Sequence, residues 1–148
     1  MQTIDGKAGT SRDAPDLDRM TTVRAFLLFL FLDIGFGLFG FERVNRFLMR
    51  SRPRRDPANP SWGRERALAT FEAVQKATMF YYRKRKDCLP KALTTFHLLR
   101  RQGLAASLCY GVKKFPFEAH TWVESQGEIL DDFPARVTRY RVIHRVSA

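Results

Sequence analysis

The chain has 148 residues, enough for one ordinary domain and too few for two. Hydrophobic residues make up 45% and charged residues 28%, which excludes a disordered protein and indicates a globular one. The net charge of +11 predicts an acidic partner or surface, without specifying a fold. The two cysteines, Cys88 and Cys109, form neither a disulfide framework nor a zinc-ligand spacing. We therefore expect a cytoplasmic protein with free thiols, no metal and no cofactor.

The N-terminal third changes from polar to apolar. Residues 1–20 predict a disordered tail rather than a signal peptide. Residues 22–50 are mostly apolar between Ala25 and Phe41, but Asp33 lies near the centre. Because a central carboxylate is costly in hydrocarbon, we expect a helix or a helical hairpin packed on a soluble core. A membrane-embedded segment is the less favoured alternative, and the flanking arginines leave a membrane-surface helix as a third.

A loop separates this segment from the rest of the chain. Residues 51–63 contain three prolines and a glycine, a composition typical of irregular loops. We therefore predict three parts: a disordered tail over 1–20, an apolar helical segment with its loop over 21–63, and a core over 64–148.

The predicted core begins with two helices. Residues 64–82 have helical periodicity, with one mostly apolar stripe made by Ala67, Phe71, Val74, Ala77 and Tyr81. A second helix is predicted to begin at Cys88, with Asp87 as a suitable N-cap. It should end before Gly103, which stands where a C-capping glycine belongs.

Beyond Gly103 the hydrophobic period changes to two, which is typical of strands. We predict strands at 104–112, 119–124, 128–132 and 137–143, with a turn at Ser125–Gly127. Helices followed by a small antiparallel sheet make an α+β fold.

Cys88 is the candidate nucleophile. A lone cysteine is more often a small core residue. However, Cys88 opens a predicted helix, and a helix N-terminus and nearby cations both favour the reactive thiolate. The cations are the basic run formed by Arg83, Lys84, Arg85 and Lys86.

A thiol nucleophile needs a base, and the base needs a group that orients it. His97 lies in the same helix, about 13 Å from the thiol by helical rise, and His144 lies near the C-terminus, where ordering is doubtful. His120 opens the second strand, and the turn brings Asp131 and Asp132 back beside it. Strand neighbours point in opposite directions, so only one of them can orient His120. The pairing alone leaves the choice open.

Four segments carry a resemblance to the transglutaminase-like superfamily, and more closely to the lasso-peptide leader peptidases: DCLPKAL, LLRRQGLAASLCYGV, FEAHTWVE and GEILDD. The resemblance runs from about 67 to 133, and the apolar stretch at 23–49 also fits it. It implies a papain/transglutaminase-like core, in which a Cys-bearing helix packs on a small antiparallel sheet. Thr121 departs from the pattern, which usually has alanine there.

The resemblance also implies an activity. Cys88, His120 and Asp132 would form the catalytic triad of a cysteine peptidase, and Asp132 is preferred over Asp131 on the resemblance alone. The enzyme would remove the leader peptide of a lasso-peptide precursor before an asparagine-synthetase-like cyclase closes the macrolactam. No β-rich leader-gripping domain precedes the core, so a stand-alone form that relies on a separate leader-recognition protein is expected.

The sequence also permits further site residues and alternative functions. Trp122 is a candidate wall of the substrate site, although core packing is its commoner role. The run Arg83–Lys86 would attract an acidic leader, or it is simply a solvated charge run. The alternatives are a transglutaminase-like acyl transferase and a basic, membrane-associated protein without activity. Nucleic acid is not expected as a partner, because only charge points to it. Residues 22–50 are the candidates for membrane contact, at the inner face.

Overall fold

The computed structural model describes residues 14–50, 60–81 and 88–147. Its elements are α1 (Ala14–Arg50), α2 (Pro60–Phe80), α3 (Cys88–Arg101), β1 (Ser107–Lys113), β2 (Glu118–Ser125), β3 (Glu128–Ile129), α4 (Pro134–Val137) and β4 (Arg141–Ser147). The four strands form one sheet in the order β3-β2-β1-β4, and every neighbouring pair is antiparallel. The predicted α+β class is confirmed.

The α1 segment is a helical hairpin. Gly40 adopts φ 75° and ψ 162°, which breaks the helix into two arms. The rings of Phe31 and Phe47 lie 5.8 Å apart, whereas sixteen residues of straight helix would separate them by about 24 Å. Gly35 permits this approach, because a Cβ there would lie 3.0 Å from Val44 Cγ2. The hairpin agrees with the prediction, but α1 begins at Ala14, inside the predicted tail.

The hairpin shares its core with the rest of the domain. It packs on α2 and α3, and α3 packs on the sheet. Every residue from Ala92 to Leu99 is buried, because α3 lies between the other helices and the strands. The main core cluster joins all layers through Leu32, Val44, Ala67, Phe96, Leu108 and Val123, among others. The first arm therefore has one face fixed against the domain.

The end of α3 follows the sequence prediction. Gly103 has φ 74°, in the left-handed region. Its N–H donates to the Arg100 carbonyl at 3.0 Å, and the Leu104 N–H donates to the Leu99 carbonyl at 3.0 Å. These two bonds define a Schellman cap and fix the direction in which the chain enters the sheet.

The sheet differs from the prediction at its second half. The turn consists of Gln126 and Gly127, with φ 52° and 81°, so it has two residues rather than three. β3 ends at Ile129 rather than at 132. The predicted fourth strand is present, but it covers Arg141–Ser147 instead of 137–143, and α4 occupies Pro134–Val137. Proline favours the first turn of a helix, which explains why a helical turn replaces the start of that strand. His144 lies within β4 and pairs with Tyr110, so the expectation of a poorly ordered end is wrong there.

Candidate active site

All three residues of the predicted triad line one cavity of about 520 Å³. Cys88 is the first residue of α3 and is partly exposed. His120 comes from β2, and Asp132 comes from the bend that follows β3. Residues far apart in the chain are therefore brought to one opening by the packing of α3 on the sheet.

His120 and Asp132 are in direct contact. His120 Nε2 and Asp132 Oδ2 lie 2.5 Å apart, and their side chains are 8% and 6% exposed. The other carboxylate oxygen, Oδ1, accepts the Phe133 N–H at 2.7 Å, which fixes the carboxylate plane. Because Nε2 is engaged, Nδ1 is the ring nitrogen that can exchange a proton at the cavity.

The neighbouring carboxylate has a different partner. Asp131 Oδ1 accepts the Val123 N–H at 2.7 Å. Burial raises the pKa of Asp131 to about 6, and the Val123 N–H opposes that rise. The side chain thus satisfies a backbone donor of β2, while Asp132 contacts the imidazole.

Trp122 supports His120 from inside the core. It is fully buried with Cys109, Val137 and Tyr140, and it is not among the residues that line the cavity. The His120 ring lies 6.0 Å from the Trp122 ring and 5.2 Å from the Tyr140 ring. The structure thus shows core packing for Trp122, and the two aromatic rings limit how the imidazole can tilt.

This aromatic support depends on Gly111. A Cβ at Gly111 would lie 2.7 Å from Trp122 Cζ3 and 2.9 Å from Tyr140 Cβ. We expect Gly111→Ala to lower the free energy of unfolding by about 1–3 kcal/mol through overpacking. Gly37→Ala is the matched control, since a Cβ there meets nothing within 4 Å. Thermal unfolding of both variants tests this, and equal melting temperatures would contradict it.

The cations that the structure describes near the triad are Lys91 and Arg136, which are not part of the predicted basic run. Asp87 and the run Arg83–Lys86 lie outside the described residues. Lys91, one helical turn after Cys88, lines the cavity, and its Nζ lies 3.5 Å from the Asp131 carbonyl oxygen. Burial lowers the pKa of Lys91, while the charges of Asp131, Asp132 and Cys88 oppose that effect. The i, i+3 spacing on a helix was the signal that could have identified it.

Arg136 is a second cation at the cavity that the sequence analysis missed. Its Nε lies 3.7 Å from Asp132 Oδ2, and its Nη2 lies 3.8 Å from Glu118 Oε1. Arg136 is half exposed, so its attraction for Asp132 is screened by solvent.

The first two helices also line the cavity. They contribute Phe29, Asp33 and Phe36 of α1 and Met79 of α2, and Tyr81 follows just after α2. The Tyr81 hydroxyl donates to Asp33 Oδ2 at 2.7 Å. This bond explains how the apolar run tolerates a carboxylate, because Asp33 points inward to a donor.

Among the described residues, no group of three or more His, Cys, Asp or Glu side chains is placed to hold a metal ion.

Comparison with known proteins places the chain in a family. A profile of the transglutaminase-like superfamily matches residues 28–145, most of the chain. The microcin J25-processing protein McjB of Escherichia coli is 31% identical over 62 residues, which cover 42% of this chain and 30% of that protein. No solved structure matches the chain. Given the extent of the profile match, this protein belongs to the transglutaminase-like superfamily.

Proposed function

We propose that this protein is a cysteine peptidase that removes the leader peptide from a lasso-peptide precursor. The main observation that supports this function is that one cavity is lined by the Cys88 thiol and by a buried His120–Asp132 pair. The partial similarity to a microcin-processing protein supports a role in peptide maturation. Superfamily membership supports thiol chemistry at this site.

The first half of the reaction forms an acyl-enzyme. Cys88 thiolate attacks the scissile carbonyl, and His120 donates a proton from Nδ1 to the leaving amine. Asp132 holds the imidazole through Nε2 and stabilises its positive form. The backbone N–H of Cys88 suits the developing oxyanion, because the first amides of a helix have no intrahelical acceptor.

The second half consumes water. His120 removes a proton from the water that attacks the thioester, and the Cys88 thiolate is released with the leader's new carboxylate. The amine freed in the first half is the N-terminus of the core peptide. An asparagine-synthetase-like cyclase would use that amine for macrolactam closure, and a separate leader-recognition protein would present the precursor.

A cleavage assay with product masses tests this function. The protein is incubated with a leader-bearing precursor and a leader-recognition protein, with and without an added primary amine. We expect free leader and free core, and a leader that gains one water. A leader joined to the added amine would instead assign an acyl transferase, and no conversion with any tested precursor would reject the peptidase.

Lys91 is expected to increase the reactivity of Cys88. Its ammonium lies one turn along α3 and interacts electrostatically with the thiolate and with both aspartates. We expect Lys91→Met to slow alkylation of Cys88 by iodoacetamide at neutral pH several-fold, because the variant removes a nearby cation that favours the reactive form of the sulfur. Lys91→Arg, which keeps the positive charge, should restore the rate in part. A rate for Lys91→Met equal to that of the wild type would contradict this role.

A further inference from the structure

The first arm of α1 carries an apolar face that no described element covers. Its exposed residues are Met20, Val23, Leu27, Leu30, Phe31, Ile34 and Leu38, each at least 41% exposed. Successive members are three or four residues apart, except for the adjacent pair Leu30 and Phe31, so they form one stripe about 27 Å long. We call these seven residues the outer stripe. The other face of the same arm, with Ala25, Phe29 and Leu32, is buried against the domain.

The second arm extends this apolar surface. Phe47 is 65% exposed and contacts Phe31 of the outer stripe, with ring centroids 5.8 Å apart. Phe41 is also exposed and packs on Phe36 beside the turn. A continuous exposed apolar surface of this length is uncommon on soluble monomers and indicates an interaction site.

Between Arg19 and Arg50 the exposed charges of the hairpin are mostly positive. The exposed basic residues of the hairpin are Arg19, Arg24, Arg43, Arg46 and Arg50. Over the same range the acidic residues are Asp33, which accepts a hydrogen bond from Tyr81, and Glu42, which pairs with Arg46 at 2.6 Å. The whole chain carries a net charge of +11. An anionic surface complements this arrangement.

We propose that the α1 hairpin docks this protein on an anionic lipid bilayer, with the outer stripe lying in the plane of the membrane. An apolar face bordered by arginines is the pattern of interfacial helices. A second copy of the chain fits less well, because a two-fold contact would bring the arginines of both copies together. The inference does not rest on the peptidase function.

The structure favours lying on the bilayer over crossing it. The segment Arg19–Arg50 is long and apolar enough to span a membrane by length and composition. However, Gly40 folds it back on itself, and its inner face is packed in the domain core. That inner face also supplies Phe29, Asp33 and Phe36 to the cavity. Docking by the outer stripe would therefore hold the cavity close to the membrane surface.

Vesicle co-sedimentation of the full chain tests the proposal. We expect binding to phosphatidylglycerol-containing vesicles to be on the order of tenfold tighter than binding to phosphatidylcholine vesicles, and to weaken with salt. Leu27→Glu/Leu38→Glu should reduce that binding by about tenfold or more, since both side chains would leave the apolar phase. Ile143→Glu, which changes an exposed apolar residue on β4, should bind like the wild type.

Further experiments test the contribution of charge and whether the helix spans the bilayer. Arg43→Gln/Arg50→Gln should weaken binding to anionic vesicles and leave the phosphatidylcholine result unchanged. Circular dichroism and thermal unfolding confirm that each variant folds. The proposal is overturned if the wild type does not bind anionic vesicles, or if Leu27→Glu/Leu38→Glu binds them as well as the wild type does. Resistance to an alkaline carbonate wash would indicate a spanning helix, and a concentration-dependent dimer lost in that variant would assign the stripe to a second copy; each rejects docking.

Discussion

Replacing Cys88 with alanine is expected to abolish precursor cleavage, with a loss on the order of 10³-fold or more. The cavity offers His120 as a base, but an imidazole activating water directly lacks the acyl-enzyme that divides the reaction into two easier steps. Single-turnover cleavage followed by mass spectrometry measures the loss. A Cys88→Ala protein that cleaves at the wild-type rate would remove the basis of the proposed function.

The second cysteine provides a matched control. Cys109 lies on β1 with no exposed surface, and burial raises the pKa of its thiol to about 11, with Glu124 adding to that rise. A thiol of that kind is unreactive at neutral pH. Iodoacetamide at pH 7 should therefore label Cys88 and not Cys109, and Cys109→Ala should keep activity within a few-fold of wild type. Labelling of Cys109 instead would contradict the assignment of the nucleophile.

Local sequence rules predicted the helices and the C-cap of α3 well. Their signals, hydrophobic period and a glycine after the last turn, act within a few residues. The same rules placed the start of the fourth strand too early, at 137 instead of Arg141, because the strand-like pattern competes with Pro134, and proline favours a helical first turn. The apolar segment had three glycines where it could fold back. Gly40 was not identifiable in advance, because the choice depends on contacts between distant residues such as Phe31 and Phe47.

Strand alternation alone does not predict which of the two aspartates contacts His120. If β3 continued the pairing of Glu124 with Ile129, Asp131 would lie opposite Trp122, on the side of the sheet that His120 shares. Instead, the Leu130 N–H still donates to the Val123 carbonyl, while the Asp131 carboxylate accepts the Val123 N–H. The side chain thus replaces a backbone acceptor and ends the ladder. The bend that follows turns Asp132 toward His120.

Asp132→Asn is expected to reduce kcat/KM on the order of 10²-fold or more. Asparagine can still accept the Phe133 N–H, so the bend should survive, but the negative charge that stabilises the imidazolium is lost. Full activity of Asp132→Asn would show that Asp132 does not orient the base.

Asp131→Asn is the paired experiment, because the same isosteric change is made one residue away. The asparagine oxygen can still accept the Val123 N–H, so activity should stay within about tenfold of wild type, in contrast to a group that orients a catalytic base. Stability should respond instead. Burial raises the pKa of Asp131 from 3.8 to about 6, so its protonated form contributes stability below pH 3.8 that is lost as pH rises through 6. The difference in melting temperature, variant minus wild type, should therefore be more positive at pH 7 than at pH 4. A larger loss of activity from Asp131→Asn than from Asp132→Asn would reverse the assignment of the two carboxylates.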